Sequence, residues 1–444
     1  MTDTPIHTFL ARYKEEDKVR LHMPGHKGVG NPLFTYDITE VSGADSLFEA
    51  DGIIKESERI ASDIYGADTF YSTEGSSLSI RAMLYLVSLY ARECGRAPKI
   101  AAARNVHKSF ISAAALIDFD VDWIVGKDSS YLSCRIDRED VVRYFDSVEE
   151  LPTALYVTSP DYLGYVSDIE GIAKECKRRG VLLTVDNAHG AYLKFLSPSI
   201  HPIDLGADVC CDSAHKTLNA LTGCAYLHIS RSAPKLFSTQ AKSAMMLFAS
   251  TSPSYLLLDS LDTLNAYLDG KYPKDLQSFV YKLVGFKEKI TSLGYTLVDG
   301  EPLKITLCAK KYGYTGKEIA RYLSERKIEC EFADEDYLVL MPSPNSSDED
   351  IERLLCAFGD LKKKGEIPSA PPTAYVPKKS TSIREAVMSP SSDDSVDTAL
   401  GKTASAITLG CPPAIPIAAP GEIIDERVIE VFKYYGITSC AVVK

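Results

Sequence analysis

A chain of 444 residues exceeds one ordinary hydrophobic core, and at about 100–200 residues per domain it predicts two or three domains. Its 45% hydrophobic and 25% charged residues are ordinary globular values that exclude wholesale disorder and fibrous repeats. A formal net charge of −12 offers no basic field for collecting phosphates, which argues against a nucleic acid or an anionic membrane as partner.

The N-terminus, MTDTPIHTFLARYKEEDKVR, is charged and lacks the apolar core of a signal peptide, and no apolar run approaches the roughly 20 residues of a membrane span. A cytoplasmic protein is expected. Its eleven cysteines show no CxxC spacing, and the one adjacent pair is Cys210 and Cys211. Neither a metal site nor a disulfide framework is expected from that pattern.

From about residue 60 to 230, strand-like apolar runs alternate with amphipathic segments: KIAAAR at 99–104, ALYVTS at 154–159, VLLTVD at 181–186 and ADVCCDS at 207–213. This rhythm predicts an α/β fold with a largely parallel sheet, whose ligands gather at the carboxyl ends of the strands. Beyond about 265 the pattern becomes that of a small α+β domain. LKITLCA, IECEF and YLVLM read as strands, TGKEIARYLSERK as a helix, and SDEDIERLLCAFGDLKKK as a helix opened by a capping Ser or Asp. The domain expectation is therefore an N-terminal arm and large domain over 1–265, a small α+β domain over 266–364, a proline-rich linker over 365–379 and a C-terminal domain over 380–444. Within the last, SPSSDDS at 389–395 reads as a loop, and CPPAIPIAAPGE at 411–422 has the fixed φ angles of a rigid surface or cleft wall.

Four segments carry chemistry. CDSAHKTLNALTG places Ser213, His215 and Lys216 just after a strand, where a desolvated lysine amine can act as a nucleophile beside hydroxyl and imidazole phosphate donors. VLLTVDNAHG ends in Asp186, a carboxylate whose burial calls for a cationic partner such as a protonated pyridine nitrogen. YSTEGSSLSIRAMLYLVSLY sets Gly75, Ser76 and Ser77 before a helix with apolar Leu78, Met83, Leu84 and Leu86, and a helix start of this kind cradles phosphate. RNVHKSF places His107 after a strand, positioned to stack on an aromatic ring or exchange a proton. Taken singly, each has a plain reading as a solvated lysine, a turn-capping aspartate, an ordinary N-cap or a satisfied loop histidine.

Taken together and in order, these segments resemble the Orn/Lys/Arg decarboxylase family, which has the aspartate-aminotransferase-like fold (fold type I of the pyridoxal-phosphate enzymes). HMPGHKG at 22–28, TEVSGADSLFEADGIIKESE at 39–58, SPDYLGYVSDI at 159–169, TSPSYLLLDSLD at 251–262 and CPPAIPIAAPGE extend the resemblance over nearly the whole chain. The resemblance implies pyridoxal 5′-phosphate as cofactor, bound as a Schiff base to Lys216, with Asp186 on the pyridine nitrogen, His107 stacked on one ring face and Ala188 under the other. It implies phosphate contacts from Gly75, Ser76, Ser77, Ser213 and His215, a place for His189 near the reacting centre, and Thr251 and Ser252 reaching the phosphate of a neighbouring subunit. A homodimer with shared active sites follows, acting on a small-molecule amino-acid substrate, and the short lead before HMPGHKG implies that the family's extra N-terminal domain is missing.

Several positions depart from the family pattern. Asn187 stands where Glu is usual, Glu49 and Ala50 replace a His-Pro or Ala-Pro type pair, and Lys402, Ala406, Cys411 and Ala414 stand where Arg, Glu, Tyr and Gly are usual. Three readings stay open: decarboxylation of arginine, lysine or ornithine; a pyridoxal-phosphate lyase, aldolase or aminotransferase acting on another amino acid; and a non-catalytic paralogue.

Overall fold

Parallel strands are buried on both faces and so need near-continuous apolar runs, which is what the sequence supplies between turn residues. The computed structural model describes residues 2–127, 129–406 and 415–444. Its strands are β1 (Asp68–Ser72), β2 (Lys99–Ala103), β3 (Asp120–Ile124), β4 (Ala154–Thr158), β5 (Leu182–Asp186), β6 (Val209–Asp212), β7 (Ala225–Ile229), β8 (Ile305–Cys308), β9 (Phe332–Ala333), β10 (Tyr337–Leu340), β11 (Ser391–Ser395) and β12 (Ser439–Val443). The first seven form one sheet of order β1-β7-β6-β5-β4-β2-β3. β2 pairs in parallel with β3 and β4, and β5 with β6, whereas β7 runs antiparallel to both β6 and β1. The expected mostly parallel α/β sheet is present, and the four apolar runs read from the sequence are β2, β4, β5 and β6.

The helices are α1 (Pro5–Glu15), α2 (Ile53–Tyr65), α3 (Gly75–Glu93), α4 (Lys108–Ile117), α5 (Arg138–Ser147), α6 (Ile169–Arg179), α7 (Ala214–Thr217), α8 (Lys235–Met246), α9 (Tyr255–Asp269), α10 (Tyr272–Ser292), α11 (Gly316–Ser324), α12 (Asp348–Asp360), α13 (Ile383–Met388) and α14 (Glu426–Tyr434). None of them among the described residues is long and apolar enough to cross a membrane. The chain divides into two compact units, one of Met1–Arg96 with Leu182–Asp275 and the other of Ala97–Val181 with Leu276–Lys444.

In the first unit α3 buries Leu78, Met83, Leu84 and Leu86, the apolar face read from its sequence. α1 is tied to α9 by a polar contact, the His7 N–H donating to the Asp262 carboxylate at 2.9 Å. Burial pushes Asp262 up to about 6, against the hydroxyl of Ser57 and backbone N–H groups that favour its anion.

In the second unit α11 and α12 begin with capping boxes, Thr315 with Glu318 and Ser347 with Asp350, so the expected Ser cap is found. β8, β10 and β9 form a small antiparallel sheet. IECEF yields strand only at Phe332, because β9 is a two-residue pairing against Leu338 and Val339, and Glu331 before it reaches β10 only through its N–H on the Val339 carbonyl at 3.0 Å. SPSSDDS is not the expected loop: Ser391–Ser395 is β11, antiparallel to β12. The apolar signal lies in its partner, since Cys440 and Val442 of β12 enter a buried cluster with Ile417, Val428 and Phe432, while β11 contributes mainly backbone. Residues 365–379 carry no helix and only isolated bridges at Thr373 and Lys379.

One buried ion pair anchors the C-terminal segment of this unit. Arg104, at the end of β2, donates from both terminal nitrogens to Glu422 at 3.0 and 2.7 Å and to the Ile417 carbonyl at 3.1 Å. Glu422 also accepts the Ala419 N–H at 2.7 Å, and Trp123 lies under the guanidinium at 4.8 Å. With side-chain exposures of 0% and 4%, neither charge has water to fall back on. Removing one partner of such a pair costs about 3–5 kcal/mol, whereas replacing both by apolar groups costs much less. Arg104→Ala is expected to lose about that much stability in chemical denaturation, and Arg104→Met with Glu422→Leu to lose less than Arg104→Ala alone. A double variant weaker than the single would refute the pair's role.

Candidate functional site

The carboxyl ends of β5 and β6 and the amino end of α3 supply the polar residues expected of a site, all in the first unit. Gly75 opens α3 at φ +67°, a left-handed conformation that favours glycine, and its N–H donates to the Gly223 carbonyl at 2.8 Å. A side chain there would meet the His215 ring at 4.0 Å. The Ser213 hydroxyl donates to that of Ser76 at 2.9 Å, so β6 is joined to the first turn of α3. Ser77 follows in that same turn. No side chain caps α3, whose 19 residues direct the positive end of their dipole at this hydroxyl pair.

His215 donates from Nδ1 to the Cys224 carbonyl at 2.9 Å, because a carbonyl can only accept. Burial holds its pKa below the ordinary value, and the neighbouring Lys216 charge acts in the same direction. A neutral ring with its proton on Nδ1 leaves Nε2 as an acceptor.

Lys216 sits on the outer side of α7, where Ala214 and Thr217 face inward. The desolvated lysine expected from the sequence is not found: in this chain Lys216 is exposed, since one turn of helix buries only one side. Its Nζ is held 3.0 Å from Nε2 of His189, which is 6% exposed. An ammonium only donates, so His189 carries its own proton on Nδ1.

Asp186, 2% exposed, ends β5. Its Oδ1 accepts the N–H of Ala188 at 3.1 Å and the thiol of Cys211 at 3.6 Å. Asp186 pairs in register with Cys211 across β5 and β6, so Asp186 and the Ser213–Lys216 stretch leave the sheet from adjacent strands.

The remaining expected residues come from other segments of the chain. Thr251 and Ser252 are exposed on the loop before α9, where the preceding Ser250 donates its N–H to Glu74 at 2.6 Å. His107 belongs to the second unit, as the N-cap of α4, with Nδ1 at 2.9 Å from the Ser109 hydroxyl and 3.2 Å from the Ser109 N–H. Lys402 pairs with Asp394, and Ala406 packs against the apolar cluster of the C-terminal segment. Cys411 and Ala414 lie outside the described residues.

Sequence reasoning missed Asp212, His201 and His228, which surround one another beside the site with no exposure at all. The available signal was period-two alternation in VCCD, which puts Cys211 on one face of β6 and Cys210 with Asp212 on the other.

A strand-end carboxylate, a strand-end lysine and a helix-start anion cradle on a mostly parallel sheet define an α/β protein of the aspartate-aminotransferase-like type. A family model described as Orn/Lys/Arg decarboxylase, major domain, matches residues 4–298, and the chain belongs to that family. An arginine decarboxylase of Halalkalibacterium halodurans is 28% identical, over 95% of this chain and 91% of that one. Among solved structures, the constitutive lysine decarboxylase of E. coli superposes with a TM-score of 0.78 at 17% identity, covering 100% of this chain and 82% of its own. A NifS-like protein does so at 0.54 and 12% identity, covering 69% and 86%, which places the sheet in the wider fold-type-I group.

Proposed function

We propose that the chain is a pyridoxal-phosphate-dependent decarboxylase of a basic amino acid, with arginine the first substrate to test, followed by lysine and ornithine. The observation that carries this reading is the exit of Asp186 and of the Ser213–Lys216 stretch from adjacent strands, with Ser213 bonded to the first turn of α3. The arginine decarboxylase relatives, similar over nearly their whole length, support the choice of reaction.

The residues fit a pyridoxal phosphate. The glycine at the start of α3 keeps the cradle open beside His215, two hydroxyls converge there, and a carboxylate sheltered from water ends the adjacent strand β5. Gly75, Ser76, Ser77, Ser213 and His215 would hold the phosphate, Asp186 the ring nitrogen, Ala188 one ring face, and Lys216 the aldehyde as a Schiff base. Thr251 and Ser252 would serve a second copy's phosphate in a homodimer. When bound, the cofactor supplies a sink for the electrons left behind by the departing carboxylate.

The chain's own residues supply the rest. Asp186 keeps a positive charge on its partner favourable because its Oδ1 is already oriented by the Ala188 amide and Cys211 thiol. His189 fixes the Lys216 amine at 3.0 Å and gives a proton a path between amine and imidazole. A second reading, another amino acid as substrate, is favoured by the C-terminal segment. There Lys402 is engaged with Asp394 and Ala406 is packed in apolar surroundings, so neither position presents a carboxylate to a distal cation.

Purified protein mixed with pyridoxal phosphate is expected to gain a visible absorption band that Lys216→Ala lacks, and to release CO2 and the matching amine from a basic amino acid. Lys216→Ala should lower turnover by more than about a thousandfold. Persistence of the band in Lys216→Ala rejects this lysine. CO2 from only a non-basic amino acid favours the second reading, and cofactor uptake without turnover of any amino acid marks a non-catalytic paralogue.

His215 makes phosphate binding proton-linked. Because Nδ1 is committed to Cys224, Nε2 donates to a phosphate oxygen only after gaining a proton, and a bound dianion raises the affinity for that proton. Above about pH 7 a phosphomonoester, with its second ionisation near about pH 6, is already a dianion. Affinity for phenyl phosphate, which has no aldehyde, is therefore expected to fall as pH rises from about 7 to about 8.5, by up to about tenfold per unit. His215→Gln should flatten the profile, and an equal slope in wild type and variant would exclude His215 as the linked group.

A further inference from the structure

On β6 the side chains alternate, and the two adjacent thiols serve different carboxylates. Cys211 faces Asp186, its register partner, at 3.6 Å. Cys210 and Asp212 face the opposite side, where Cys210 is the register partner of His228. There Asp212 collects donors: His201 Nε2 at 3.1 Å and His228 Nε2 at 3.2 Å on one oxygen, Asn187 Nδ2 at 2.6 Å and the Cys210 thiol at 3.9 Å on the other.

The protonation pattern is fixed by the outer partners. His201 Nδ1 accepts the Ile203 N–H at 3.4 Å, so Nε2 carries the hydrogen given to Asp212. His228 Nδ1 lies 2.9 Å from the Thr69 hydroxyl, and burial pushes this imidazole toward its neutral form despite Asp212. Burial also pushes Asp212 upward, but the two imidazoles more than reverse that and hold it below the usual carboxylate range. An anion shut away from water is thus surrounded by donors.

Asn187 is the link between the two faces. It directly follows Asp186, is fully buried, and donates its backbone N–H to the Cys211 carbonyl at 3.0 Å and its side-chain N–H to Asp212. Among the described residues its Oδ1 has no hydrogen-bond partner, so the side-chain amide is bonded there to Asp212 alone. Turning the amide over would set oxygen against carboxylate.

We infer that Asp212 is a positioning residue for Asp186: through Asn187 it clamps the end of β5 from the far side of the sheet and thereby fixes the carboxylate that faces the cofactor ring. This rests on the proposed pyridoxal-phosphate reading. An asparagine at 212 would turn an N–H toward a surrounding donor, whereas exchanging the pair restores one donor and one acceptor at the junction.

The test compares wild type, Asp212→Asn, Asn187→Ala and the exchange Asn187→Asp/Asp212→Asn, each checked for folding by circular dichroism and titrated with pyridoxal phosphate. Each single variant is expected to bind at least about tenfold more weakly, the scale of a lost hydrogen bond to a charged group, and to shift the pH midpoint of the visible band. The exchange should recover to within about threefold of wild type. Folded single variants with unchanged affinity and midpoint overturn the inference, as does an exchange that fails to fold or stays as impaired as Asp212→Asn. Stoichiometric zinc in the purified protein also overturns it, since the ligating atoms of His201, Cys210 and Asp212 lie within 4.8 Å of one another. Wild type that takes up no pyridoxal phosphate overturns the reading of the site and this inference with it, whereas wild-type uptake with unaffected variants overturns this inference alone.

Discussion

A carboxylate buried at the end of an interior strand is costly unless its hydrogen-bonding capacity is met, and Asp186 meets it with a backbone amide two residues on and a thiol from the next strand. Both donors exist only if β5 and β6 keep their register and the turn after Asp186 keeps its shape. The sheet therefore has two tasks at this point: it supports the core through Val185, Cys210 and Cys211, and it fixes the position of a buried carboxylate. The apolar run and the acid at its end are one feature.

That coupling explains which parts of the molecule were legible in the sequence. Strands β2, β4, β5 and β6 could be read because burial on both faces leaves a continuous apolar run, and the helices α11 and α12 because their capping boxes are local. The residues at the strand exits followed from the general placement of ligands at carboxyl ends. β11 was illegible because a polar strand is recruited by its partner, β12, whose own residues carry the apolar pattern. Lys216 illustrates the same limit at the site: sequence gave its position at a strand exit, but whether it is shielded depends on what covers α7, and here only one side of that turn is buried.

The Asp212 cluster was hidden for another reason. Its members come from β6, β7, the turn after β5 and the segment holding His201, and the outermost contact reaches Thr69 on β1. Nothing in a local window distinguishes such a carboxylate from a turn cap, because its meaning lies in pairing across antiparallel strands. Asn187 was visible as a departure from the family pattern, yet its chemistry appears only beside Asp212: an amide offers the N–H that an anion needs, and a second carboxylate at that distance would repel it.

On the proposed reading, the residues for the cofactor and those for substrate choice come mostly from different parts of the chain. Apart from His107, every residue assigned to the cofactor lies in the first unit, where carboxylate, lysine and helix start are fixed by the sheet and α3. Lys402 and Ala406 belong to the second unit, in a segment secured by Arg104 and Glu422 and engaged in contacts of its own. The hydrogen bonds described for Asp186 and Lys216 use no residue of that segment, so on the proposed reading substrate preference can diverge while the residues proposed for the cofactor persist. On the proposed reading, membership of the decarboxylase family bears most directly on the chemistry proposed for Lys216, and the side chain that chemistry would act upon must be sought at the other end of the substrate.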